Sequence, residues 1–139
     1  MNNLSIKERF NRTVTILDLT GNIKMGDDVI KLKTALRVIV KEGKNNVLLN
    51  MADISYIDSS GLGELVAGFF TLQKNGGELK LLHLTARVSE LMVITKLLTV
   101  FEAFELEEEA VNSFQTASVN IETGPSTFVT GKLDAALLN

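Results

Sequence analysis

The hydrophobic residues of this chain change period repeatedly along its length, and that switching restricts it to a fold of interleaved strands and helices. Residues 4–10 alternate apolar and polar. Asn11 and Arg12 follow, and then the β-branched run 13–20, closed by Gly21, reads as a second strand, so the chain opens on a hairpin. Asp27 and Asp28 precede Val29, Leu32, Leu36 and Ile39, one face of a helix with acids at its N-terminus and Gly43 just past its end. The nearly continuous apolar run 47–51 suits a central strand covered on both faces. A second helical stripe, Leu62, Leu65, Val66, Phe69 and Leu72, stops at Asn75-Gly76-Gly77. Residues 79–84 form another strand, and Thr85 can cap a third helix with apolar positions Val88, Leu91, Met92 and Leu98. Residues 101–106 alternate as an edge strand. The three acids Glu107, Glu108 and Glu109 open a last helix over 107–114.

The resulting order, ββαβαβαβα, implies an α/β fold with a mixed, largely parallel sheet and crossover helices. Beyond about residue 116 the periodicity fails among Gly124-Pro125, Gly131 and scattered Ser and Thr. The chain therefore divides into a domain over 1–116 and a C-terminal tail, 117–139, mobile or docked on the domain, with Leu133, Leu137 and Leu138 spaced like a helical turn.

Composition removes several classes of function. The chain has no cysteine, which excludes disulfides, thiol nucleophiles and thiolate metal sites, and its single histidine, His83, excludes a histidine metal cage. A net charge of −3 with scattered lysines and arginines gives no footprint for direct nucleic-acid binding. The most apolar stretch, 65–70, falls far short of the roughly 20 residues of a membrane-spanning helix. The N-terminus carries charges where a signal peptide needs an apolar core, so a soluble, cytoplasmic protein without direct membrane insertion is expected.

Chemistry concentrates in Ile57-Asp58-Ser59-Ser60-Gly61-Leu62-Gly63, between a buried strand and an amphipathic helix. A serine there lies near unpaired helix N–H groups, and a phosphate on it would bring about −1.5 to −2 charges to the positive end of the helix. Such a change would be read by a partner touching the loop, and Gly61 and Gly63 leave room for its backbone. Plain capping of the helix by Asp58 and the serines accounts for the same spacing. The segment matches neither the G-x-x-x-x-G-K-[ST] phosphate loop nor the G-x-S-x-G nucleophile elbow. His83 lies in an apolar run where a catalytic base is not expected, so the reading is not an enzyme. The glutamates at 102, 105 and 107–109 read as a solvated helix start rather than a cation site.

The run from Val47 to Gly63, together with Asn75-Gly76-Gly77-Glu78-Leu79-Lys80-Leu81, resembles the STAS domain of bacterial anti-sigma factor antagonists, and the similarity extends over about residues 4–115. The resemblance implies a STAS-like sheet and a partner-switching protein. In that family the unphosphorylated antagonist binds an anti-sigma factor that is itself a serine kinase, which frees the sigma factor. The kinase uses ATP, bound by the kinase and not by the antagonist, to phosphorylate a serine and end the association, and a serine phosphatase resets the switch. The family's modified position, directly after the aspartate, falls on Ser59, with Ser60 as the alternate. Partner contacts are expected at Gly21, Asn22, Ile23, Lys24 and Met25, at Asp58, Ser59, Ser60, Gly61, Leu62 and Gly63, and on the exposed side of the helix at Glu64. The resemblance leaves a second role open: a scaffold subunit of a stressosome-type complex or of a lipid-transporting ABC system. Where the antagonists often show Gly-Glu-(apolar)-Asp after the second strand, this chain has Gly21-Asn22-Ile23-Lys24, placing a lysine that can meet a phosphate.

Overall fold

The computed structural model describes residues 3–114; the expected tail over 117–139 lies outside the described residues. The elements follow the expected order: β1 (Ser5–Asn11), β2 (Val14–Ile23), α1 (Asp27–Lys41), β3 (Asn46–Ile57), α2 (Ser59–Lys74), β4 (Glu78–Leu82), α3 (Ala86–Ile94), a 3-10 turn (Leu97–Thr99), β5 (Ala103–Phe104) and α4 (Glu107–Ser113). They build one five-stranded sheet in the order β1-β2-β3-β4-β5. β1 and β2 pair antiparallel across the turn at Arg12 and Thr13, and every later pairing is parallel.

Period-2 alternation sorts the strands' side chains onto two faces of unequal size. Leu17, Leu19, Val47, Leu49, Met51, Leu79 and Leu81 meet the stripes of α1, α2 and α3 in the main core. Val14, Ile16, Leu48 and Leu82 point the other way and are covered by Ala110, Val111 and Phe114 of the α4 region. A central strand covered on both faces has no polar side to show, which explains the unbroken run at the start of β3.

The smaller face is fastened by polar groups. Arg9 of β1 grips Asp18 of β2 (2.6 and 3.2 Å) and Glu107 of α4 (2.8 and 3.0 Å), and Asn50 adds a bond to Asp18 at 2.8 Å. Lys80, buried in β4, donates to the Ser113 carbonyl (3.0 Å) and hydroxyl (2.9 Å) at the end of α4 and pairs with Glu102 at 2.7 Å. Glu107 is thus a clasp between helix and hairpin, not merely a solvated, dipole-compensating acid.

Several boundaries differ from the sequence reading. β3 continues from the apolar run at 47–51 to Ile57, and β4 stops at Leu82 instead of reaching residue 84, because His83 takes a left-handed conformation (φ +57°). Gly21 does not close β2: it takes φ +111° at an irregularity in the β2–β3 register, and the strand continues to Ile23. α3 ends at Ile94, because Lys96 adopts a left-handed conformation (φ +63°), and Leu98 falls in the 3-10 turn. The strand expected over 101–106 pairs only at Ala103–Phe104, since Phe101 turns into the main core and Leu106 already precedes α4.

Candidate functional site

β2 and β3 run parallel, so their carboxyl ends reach the same edge of the sheet, and α2 begins there. Asp58 has an extended backbone and caps α2: its Oδ1 accepts from the Gly61 N–H at 2.8 Å. Its Oδ2 accepts from the Met25 N–H at 2.9 Å, tying the loop after β2 to the start of α2. The Asp58 N–H in turn donates to the Ile23 carbonyl at 3.3 Å. The Met25 N–H first, then that of Gly61, with Lys24 contributing, hold the Asp58 carboxyl below the usual carboxylate range.

Because Asp58 does the capping, the neighbouring hydroxyl is left free. Ser59 is exposed and its side chain makes no hydrogen bond among the described residues, whereas Ser60 is half-buried. Met25 is 75% exposed beside them, and Gly63 faces open space: a Cβ there would meet nothing within 4 Å. These positions suit the contact surface expected from the sequence.

Other expected contact residues are turned inward. Glu64 is 6% exposed and pairs with Lys33 of α1 at 2.9 Å, so it belongs to the α1–α2 interface and not to the outer side of the helix. Gly21, Asn22 and Ile23 are buried members of β2. Within it, the Asn22 side-chain oxygen has no hydrogen-bond partner among the described residues. Leu62 is a core residue that also lines the groove described below. Gly61 is glycine for an internal reason: a Cβ would overlap the Ile23 carbonyl oxygen and crowd the Ile57 methyl at 2.8 Å.

Beside Ser59 a groove of about 420 Å³ opens between the start of α2 and α3. Tyr56, Leu62, Leu91 and Ile94 make it mostly apolar, and Arg87 joins Ser59 in its lining, the guanidinium 5.5 Å from the Tyr56 ring centroid. Sequence reasoning missed Tyr56, Arg87 and Ile94. Tyr56, the chain's one tyrosine and three residues before Ser59, was the available signal; Arg87 and Ile94 arrive only through the packing of α3. His83, the base a hydrolase would need, follows β4 and is not part of this groove. Among the described residues no group of three His, Cys, Asp or Glu could hold a metal ion, and no helix is long and apolar enough to cross a membrane.

The STAS domain family model matches residues 5–110, which span this five-stranded mixed sheet and its crossover helices. The anti-sigma-B factor antagonist of Staphylococcus aureus (strain NCTC 8325 / PS 47) is 30% identical over 105 residues, 70% of this chain and 97% of that protein. That of Bacillus subtilis (strain 168) is 28% identical over 109 residues, 78% of this chain and 98% of that protein. The chain belongs to the STAS family of anti-sigma factor antagonists. Its fold is shared with the Bacillus cell fate determinant SpoIIAA in the phosphorylated form (TM-score 0.62, 19% identity, 78% of this chain and 97% of that one).

Proposed function

We propose that this protein is a phosphorylation-switched binding module: unphosphorylated, it holds an anti-sigma factor that is also a serine kinase, so that the sigma factor is released. The observation that carries this reading is the division of labour between adjacent residues. Asp58 satisfies the helix start, which leaves the Ser59 hydroxyl exposed and without a partner, available to chemistry without unfolding α2. In the switching step Ser59 Oγ attacks the γ-phosphorus of ATP carried by the kinase. The Oγ–P bond forms, ADP leaves, and the hydroxyl proton passes to a base of the kinase or to water. A serine phosphatase hydrolyses the ester and restores the hydroxyl.

The contact surface comprises Lys24, Met25, Ser59, Ser60, Gly63 and the adjoining groove. A dianion placed in that interface without a cation on the partner costs several kcal/mol, enough to undo a micromolar association of about 8 kcal/mol in part or whole. The role requires neither a cofactor on this chain nor catalysis by it, and it places the protein in the cytoplasm with its kinase.

Titration calorimetry against the cognate anti-sigma factor tests the reading. Ser59→Asp is expected to weaken binding at least tenfold, and Ser59→Ala to bind normally but lose the response to kinase and ATP. If both bind like the wild type, the switch is refuted. Phosphopeptide analysis of the native protein provides the second arm: Ser59 unmodified under all growth and stress conditions would favour a constitutive scaffold instead.

A further inference from the structure

Two cations lie near the start of α2, Arg87 in the groove beside Ser59 and Lys24 close enough to act on Asp58, and neither has an ion-pair partner within 4 Å among the described residues. Arg87 lines the same groove as Ser59 and rests over the Tyr56 ring, 5.5 Å from its centroid. Lys24 precedes Met25, whose N–H is bonded to Asp58, and Lys24 contributes to holding that carboxyl ionised. Two acids share the neighbourhood. Both oxygens of Asp58 are occupied by backbone N–H groups, and Glu90, one helical turn beyond Arg87, also lines the groove.

We propose that a phosphate on Ser59 is received by this chain's own Arg87 and Lys24, so that modification closes the groove beside Ser59 as well as adding charge to it. The inference rests on the switch reading above. A phosphoserine offers three acceptor oxygens and close to two negative charges, and a guanidinium meets such a group with two parallel N–H donors. The contact between Arg87 and the exposed Tyr56 ring is the weaker of the two alternatives, so the guanidinium moves to the phosphate. Crossing to Ser59, it lays a charged group over the apolar wall of Leu62 and Ile94, and a partner side chain loses its seat. Glu90 repels the phosphate and biases it toward the Lys24 side.

The test needs no kinase. Phosphoserine is installed at position 59 of the full chain during translation, and its ionisation is followed by 31P NMR in the wild type, in Arg87→Gln, in Lys24→Gln and in the double variant. Both side chains are exposed at the surface, so the variants are expected to fold, which circular dichroism checks. The wild-type phosphate is expected to lose its second proton at least half a pH unit below the value near 6 of ordinary phosphoserine, about a threefold change in proton affinity. The double variant returns toward 6. The Tyr56 ring resonances shift as the phosphate ionises in the wild type and stay still in Arg87→Gln. A double variant that titrates like the wild type, or Tyr56 resonances indifferent to the phosphate in the wild type, would overturn the proposal. Failure of the switch reading looks different: Ser59 carries no phosphate in the native protein, while the installed phosphate still titrates as Arg87 and Lys24 dictate.

Discussion

Gly61 and Gly63 stand two residues apart in the first turns of α2, and the structure gives alanine opposite effects at the two positions. At Gly63 the added methyl meets nothing within 4 Å, so only the helix-propensity difference remains and Gly63→Ala should stabilise by about 0.5–1 kcal/mol. At Gly61 the methyl runs into the Ile23 carbonyl, which also accepts the Asp58 N–H, and into the Ile57 side chain. Overpacking of this kind costs about 1–3 kcal/mol, toward the upper end because backbone cannot rotate away. After the propensity gain, Gly61→Ala should destabilise by about 1–2 kcal/mol. For a domain of this size these values correspond to a melting temperature about 2–6 °C higher for Gly63→Ala and about 5–10 °C lower for Gly61→Ala. With no tryptophan in the chain, far-UV circular dichroism during heating and urea titration is the suitable assay. A neutral Gly61→Ala would show that α2 does not start against the end of β2. A destabilised Gly63→Ala would show that its outer face is covered. The switch reading adds a third expectation: Gly63→Ala binds the anti-sigma factor more weakly although it is the more stable protein.

Leu65→Asp should abolish folding, because Leu65 is wholly buried on the core stripe of α2 and an unpaired carboxylate cannot be accommodated there; a folded, monodisperse product would refute the assigned helix face. Lys33→Ala removes the partner of the buried Glu64, and since Lys33 itself is 41% exposed the cost is about 1 kcal/mol, well below that of a fully buried pair. Urea unfolding checks the value, and no loss would mean that Glu64 finds water instead. Acid should loosen α4 before the rest of the domain. Arg9 lowers the proton affinity of both Asp18 and Glu107 in the folded state, so their contribution is complete above the ordinary carboxylate range and is lost as pH falls through it and below. Amide protection factors, corrected for the slower intrinsic exchange in acid, should therefore fall in α4 below about pH 4 ahead of those in the interior of α2. Equal loss of protection in both helices would remove the Arg9 clasp from the account.

The element order was legible in the sequence because each strand and helix carries its own period, and the parallel crossovers follow from that order alone. Asp58 as a cap was legible for the same local reason. What escaped depends on packing between distant segments. Glu64 reads as a surface residue because it is charged. Yet Gly61 lies three residues before it and Gly68 four residues after, and the latter brings the helix so close to Leu36 of α1 that this face cannot be exposed. Gly21 reads as a stop signal, but its positive φ here serves an irregularity inside a continuing strand. Lys96 ends α3 in a conformation usually given to glycine or asparagine, so its composition offered no warning. The groove beside Ser59 combines α2 with Arg87 and Ile94, residues far along the chain, and no local pattern connects them.

The two oxygens of Asp58 are each committed to a different stretch of backbone, one near Met25 and one within α2. Whatever recognises the serine next to it therefore meets a shape assembled from two parts of the chain, separated by 33 residues in sequence. A short synthetic peptide copying the sequence around Ser59 contains only one of those parts and cannot reproduce the surface. If the proposed switch operates here, recognition of Ser59 would therefore report completed folding, since a nascent or damaged chain carries the same serine without the assembled surface.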